Sequence, residues 1–280
     1  MYVRTDDGVR IAYDREGAGG RPLVLIGGLG QMRATDAATR TLTSELAARG
    51  CDVVHHDRPG RGDSDDGPAT LAGEVAALRA LVDELGGRAA LYGSSSGGAI
   101  ALAAAAALPG VDRLVLWEVP LATDGGAQAW AWHAGIVERA RAGDPEAVLR
   151  FATEGMPPEW LDGMLGGPDR ERYLRLAPTV AADTEALARV ADALADGSLA
   201  RSVTVPTTVL TGSAAWPFFV AAAEALVAAL PDASRAEVPG AEHGWAPADL
   251  ADAVVEALDW GSLLTEGHLD RRVLAAHWAE

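Results

Sequence analysis

Three serines stand in a row at Gly93-Ser94-Ser95-Ser96-Gly97, and only Ser95 lies at the centre of a G-x-S-x-G pattern. A serine hydroxyl is a weak nucleophile until a neighbouring base takes its proton. The glycines supply geometry. Where a strand turns sharply into a helix, the central residue is held in a strained conformation with its hydroxyl projecting. The residues two before and two after come so close that side chains would clash, and here both are glycine. The backbone N–H of Ser96 would face the reacting oxygen, where the start of the helix adds positive potential.

The base must come from six histidines. His55 and His56 are adjacent in a strand pattern, so their side chains diverge and cannot share a metal ion. His133 falls in a helical stretch, and His268 and His277 in the C-terminal tail. His243 follows the final strand pattern on a Pro-Gly loop, late in the chain, as the order serine, acid, histidine requires. An imidazole ordinarily titrates near neutral pH, so it can accept the serine proton and return it to a leaving group.

The elements needed to position these groups are legible. Strand patterns occur at Arg10–Arg15, Pro22–Ile26, Asp52–His56, Ala89–Tyr92, Asp112–Trp117, Thr207–Thr211 and Ser234–Val238. Helical patterns lie at 35–50, 70–86, Ser96–Leu108, Phe218–Leu230 and Pro247–Trp260. Strands spaced by such helices predict an α/β fold with a parallel sheet and crossover connections. From Leu121 to about Arg201 the pattern is helical and broken by Gly and Pro, which suggests a lid inserted over one end of the sheet. The tail from His268 predicts one further short helix, a candidate contact for a homodimer.

Composition sets the limits. The chain has 280 residues, 49% of them hydrophobic and 22% charged, enough for a sizeable core. A formal net charge of −17 disfavours nucleic acid and anionic membranes as partners. The single cysteine, Cys51, excludes an internal disulfide. The N-terminal residues lack the apolar stretch of a signal peptide. The longest apolar run, Ala99–Leu108, is about half of a membrane span. A cytoplasmic location is the expectation.

Four segments in order carry a family resemblance: "LIGGLGQ" (Leu25–Gln31), "HDRPGRGDSD" (His56–Asp65), "YGSSSGG" around Ser95 and "VPGAEHG" (Val238–Gly244). Together they resemble the α/β-hydrolase superfamily over nearly the whole chain. The resemblance implies a mostly parallel, doubly wound eight-stranded sheet. Its core would be residues 1–119 and 202–260, with a helical cap at 120–201 and a C-terminal extension at 261–280. It implies an oxyanion hole from the N–H groups of Leu29 and Ser96, and no cofactor or metal. Gly27 stands where the family usually has a histidine that braces the oxyanion turn, so a more mobile turn is expected.

The acid is the difficult partner. The family usually places it after the strand that is Thr207–Thr211 here, yet no Asp or Glu occurs from Gly212 to Ala223. Glu118, one strand earlier, is the best substitute, since its extra methylene extends its reach and it preserves the chain order. Asp124, Asp183 and Glu242 are weaker candidates, and a Ser–His dyad without an acid is another. Serine at the nucleophile position disfavours epoxide hydrolase and dehalogenase chemistry. Trp117, Trp130, Trp132, Trp160, Trp216 and Trp245, with Phe218 and Phe219, suggest an apolar pocket. From these, Trp117, Trp130, Trp132, Trp216 and Trp245 are the expected lining. The expected activity is acyl-enzyme hydrolysis of a small hydrophobic ester, lactone or thioester. The alternatives are C–C bond cleavage, cyclisation, or a ligand receptor that kept the fold.

Overall fold

The computed structural model describes residues 1–265. The tail helix predicted from His268, together with His268 and His277, lies outside the described residues. In chain order the first half comprises β1 (Tyr2–Arg4), β2 (Arg10–Glu16), β3 (Arg21–Ile26), α1 (Ala37–Ala48), β4 (Cys51–His56), α2 (Leu71–Glu84), β5 (Ala89–Ser94), α3 (Ser96–Ala107) and β6 (Val111–Trp117). Only helices follow until the next strand: α4 (Ala127–Arg141), α5 (Pro145–Ala152), α6 (Pro158–Gly166), α7 (Arg170–Leu176), a 3₁₀ turn, α8 (Val180–Ala195) and α9 (Leu199–Ser202). Then come β7 (Thr207–Ala215), α10 (Pro217–Ala229), β8 (Ala233–Glu242) and α11 (Pro247–Thr265). No described helix is long and apolar enough to cross a membrane.

The eight strands form one sheet in the order β1-β2-β4-β3-β5-β6-β7-β8. The β1–β2 and β2–β4 pairs are antiparallel and the others parallel. Central parallel strands are covered on both faces, which is why β4 and β5 read as continuous buried runs. Side-chain parity assigns the faces. Val24, Ile26, Leu114 and Leu116 join α2, α3 and α10 in one core, whereas Leu23, Leu25, Val115 and Trp117 join α1 and α11 in the other. A third core joins Met32 to Ile136, Leu149, Leu176 and Val180 of the helical segment. Asp36 and Thr70 cap α1 and α2 by accepting from the N–H groups of Thr39 and Gly73.

Two features differ from the sequence reading. β1 is too short and too exposed to leave a period-two signal. The Val238–Gly244 segment is not a free loop, because β8 runs on through Pro239 to Glu242, pairing with a matching extension of β7. β8 is an edge strand, and there a proline costs no ladder hydrogen bond.

The histidine pair on β4 is buried, and among the described residues neither ring nitrogen of His56 has a side-chain hydrogen-bond partner. Burial, with the nearby charges of His55 and Arg58, pushes His56 down to about 3; burial also lowers His55. The His56 ring stays neutral in the fold down to about pH 3, whereas the unfolded chain protonates it below about pH 6.5. The unfolded state therefore binds more protons between about pH 6.5 and 3, and stability falls with pH through that window. Acid titration of His56→Leu, followed by circular dichroism, should show a flatter loss of stability between pH 6.5 and 4 than wild type. An identical acid limb would remove His56 as the cause.

Candidate active site

Ser95 follows directly on β5 and begins the turn into α3 at φ 55°. Its N–H donates to Trp117 O at 2.8 Å, tying the elbow to β6. The close approach expected of the glycines is present: a Cβ on Gly97 would lie 2.4 Å from Ile26 O, and one on Gly93 would lie 2.6 Å from Gly98 Cα.

Glu118 takes the corresponding position one residue past β6, also at positive φ, 42°. Its carboxylate is buried and divided between two partners. Oε1 accepts from the Gly212 N–H at 2.8 Å, and Oε2 lies 2.6 Å from Nδ1 of His243. Where the sequence lacks a carboxylate after Thr211, Gly212 stands within β7, and its backbone N–H anchors the carboxylate that comes from the end of the neighbouring strand β6. With Nδ1 turned to the carboxylate, Nε2 of His243 is left as the basic nitrogen.

His243 leaves the end of β8 with its ring between aromatics. Phe219 stacks at 4.5 Å and 9°, and Trp160 at 6.0 Å and 26°. Trp216 joins both rings. Trp160 and Met164 are one turn apart on α6, so they share a face. Met164 overhangs Gly30, and Gly28 of the same turn lies against Ser95, where a Cβ would come 2.9 Å from the Ser95 Cβ. One face of α6 therefore covers both the imidazole and the turn beside the serine. Among the described residues neither the Ser95 hydroxyl nor Nε2 of His243 has a hydrogen-bond partner.

The turn at 27–31 is not left without a brace by the absence of a histidine. Gln31 Oε1 accepts from the Gly28 N–H, and its amide donates to Asp36. Arg58 donates to Gly27 O at 3.2 Å, and Arg61 to Gly28 O at 2.8 Å. Both guanidinium groups are buried and paired with Asp183 of α8, at 2.6 and 2.5 Å; Arg58 also meets Glu74 at 2.8 Å. Burial alone would push the Asp183 carboxyl up, but Arg58 and Arg61 outweigh it and hold it below the usual carboxylate range. Asp183 is therefore committed to these arginines and is not the partner of His243. Asp124 and Glu242 are exposed, and among the described residues neither carboxylate hydrogen-bonds the His243 ring. The two arginines stood in a recognised motif, yet nothing in their spacing indicated a partner more than a hundred residues away.

The expected pocket needs correction. Trp117 is fully buried in the core under α1 and α11, and Trp245 packs on that same core. Trp130 faces away, donating to Asp192 with Arg189 over its ring. Trp132 packs between two cores. Of the five expected lining residues, only Trp216 joins the aromatic group at His243, and Trp160 and Phe219 complete it.

A model of the alpha/beta hydrolase family matches residues 23–257. An alpha/beta hydrolase of known structure from Sphaerobacter thermophilus is 31% identical, with a TM-score of 0.75 over 92% of this chain and 100% of its own. A thermophilic esterase from Thermogutta terrifontis is 23% identical, with a TM-score of 0.68 over 96% and 99% of the two chains. An enol-lactonase from Burkholderia xenovorans is 21% identical, with a TM-score of 0.59 over 95% and 100%. No curated protein matches significantly.

Proposed function

The chain belongs to the alpha/beta hydrolase family, and from that premise we propose that it is a serine hydrolase of small, largely hydrophobic esters, lactones or thioesters. The observation that carries the proposal is the 2.6 Å contact of His243 Nδ1 with a buried Glu118, at the strand ends beside the Ser95 elbow. A carboxylate in that place fixes the imidazole tautomer and stabilises the imidazolium formed in the transition state. Unmade serine–histidine hydrogen bonds are common in structures without substrate and tighten on binding.

In the proposed cycle Ser95 Oγ attacks the carbonyl carbon while Nε2 of His243 takes its proton. The Leu29 and Ser96 N–H groups receive the oxyanion. Collapse of the tetrahedral intermediate returns the proton to the leaving alcohol or thiol and leaves an acyl-serine. Water, activated by the same imidazole, releases the acid and regenerates Ser95. The helices of 120–201 act as a cap, and the rings of Trp160, Trp216 and Phe219 favour an apolar substrate. The named activities of the esterase and lactonase neighbours lend the same substrate class weight.

The test is hydrolysis of 4-nitrophenyl esters of increasing acyl length, with fluorophosphonate labelling located by peptide mass spectrometry. Turnover with one label on the peptide carrying Ser95 is the expected result. Absence of both would end the proposal.

A further inference from the structure

Both groups assigned to the oxyanion connect to a single carboxylate on α8. Asp183 Oδ1 accepts from Ser96 Oγ at 2.7 Å, and its Oδ2 accepts from Arg61 Nη2 at 2.5 Å. Arg61 in turn donates through Nη1 to Gly28 O at 2.8 Å and Gln31 O at 3.4 Å, and through Nε to Thr179 Oγ1 at 2.9 Å. The peptide between Gly28 and Leu29 is trans, so its C=O and N–H point in opposite directions in one plane. An arginine holding the Gly28 carbonyl therefore also fixes the direction of the Leu29 N–H. That N–H donates to no group among the described residues.

We propose that Asp183 is a positioning residue for the oxyanion hole, holding the Ser96 side through its hydroxyl and the Leu29 side through Arg61. The inference rests on the serine-hydrolase reading above and adds a role for the helical segment. That segment supplies the charge that orients two backbone donors of the core. The geometry suits such a task. Asp183, Arg58 and Arg61 are essentially inaccessible to solvent, so their hydrogen bonds are not shared with water. Two cations and two anions, counting Glu74, leave the cluster without a net charge. The acceptors that Arg61 meets on the turn, Gly28 O and Gln31 O, are carbonyls, and the planar fork of one guanidinium reaches them and Asp183 together.

The variants are Asp183→Asn, which keeps the shape and removes the charge, and Ser96→Ala, which removes one link and keeps the Ser96 N–H. Rates are measured on 4-nitrophenyl butyrate per serine titrated by fluorophosphonate, beside the inhibition constant of an alkyl trifluoromethyl ketone, a mimic of the oxyanion. A lost oxyanion donor costs roughly 100- to 1,000-fold, and a misdirected one should cost part of that, about 10- to 100-fold in kcat. The expected result is that fall with little change in KM, and ketone binding weakened by a similar factor. A merely structural role would leave fewer titratable serines, each turning over at the wild-type rate. That outcome, or a fall in kcat with unchanged ketone binding, overturns the proposal. If Asp183→Asn does not fold, Ser96→Ala decides in the same way. A wild-type protein that takes no label overturns the parent reading, and this one with it. A labelled wild type with unaffected variants overturns this one alone.

Discussion

Ser95→Ala is expected to lower ester turnover by about six orders of magnitude, the size seen when a triad serine is removed from a serine protease, and to abolish fluorophosphonate labelling. Stability should barely change. The hydroxyl makes no hydrogen bond as a helix cap, so alanine loses no native partner. The backbone there, at φ 55° and ψ −129°, is one that side chains rarely adopt, and holding it costs on the order of 1–3 kcal/mol. Ser95→Gly should therefore be as inactive as alanine but more stable than wild type by about 1 kcal/mol. In a chain of this size that shift is about 2–4 °C in Tm. Inactivity with higher stability is the mark of strain retained for function. Ester turnover by Ser95→Ala within tenfold of wild type would show that another group does the chemistry.

The elbow was legible in the sequence because its requirements are local. Two glycines, a strand before and a helix after are all read within about twenty residues. Glu118 was legible for another reason: parallel strands leave their carboxyl ends on one rim, so a residue one past a strand pattern is placed by the pattern itself. His243 lies five residues past the pattern that ended at Val238, and it was read from its late Pro-Gly loop. Parity along a strand was the weaker signal. "LVLW" at the end of β6 is a continuous apolar run, and with both faces buried nothing marked Trp117 as pointing to the α1 and α11 side. The pair Trp130 and Trp132 could have been separated. Two residues along a helix is about 200°, so they cannot line one pocket, and in the fold they do not.

The ion cluster at Asp183 was illegible for a deeper reason. Periodicity reports where apolar side chains go and says nothing of a charge buried with its partner. α8 carries Asp183 among Val180, Ala182 and Ala186, all buried, so the carboxylate interrupts an otherwise apolar face. A lone acid on such a face is costly unless cations meet it. Here the cations come from the loop after β4, which the chain brings alongside only in three dimensions.

Glu118→Gln is expected to reduce kcat by about four orders of magnitude with KM little changed, because the wild-type carboxylate performs two acceptor tasks at once. Oε1 receives the Gly212 N–H and Oε2 faces Nδ1 of His243. Glutamine has only one acceptor oxygen. If that oxygen stays on the buried Gly212 N–H, the amide NH₂ faces the imidazole and can only donate. Nδ1 must then accept, the ring proton moves to Nε2, and the nitrogen that should take the Ser95 proton is already occupied. Carboxylate-to-amide exchange at the equivalent position of a serine protease costs about 10,000-fold through this wrong tautomer. If the oxygen turns to His243 instead, the Gly212 N–H meets an NH₂ group and loses its partner, a cost of about 1–3 kcal/mol in stability. The two outcomes are separable, since one appears in kcat and the other in the melting temperature. Glu118→Asp keeps both acceptors but is shorter by a methylene, so it should fall between wild type and glutamine. Asp124→Asn, at an exposed carboxylate away from His243, should stay within about twofold of wild type. Glu118→Gln with both rate and stability intact would mean that the serine works with histidine alone, and that the 2.6 Å contact serves neither chemistry nor fold.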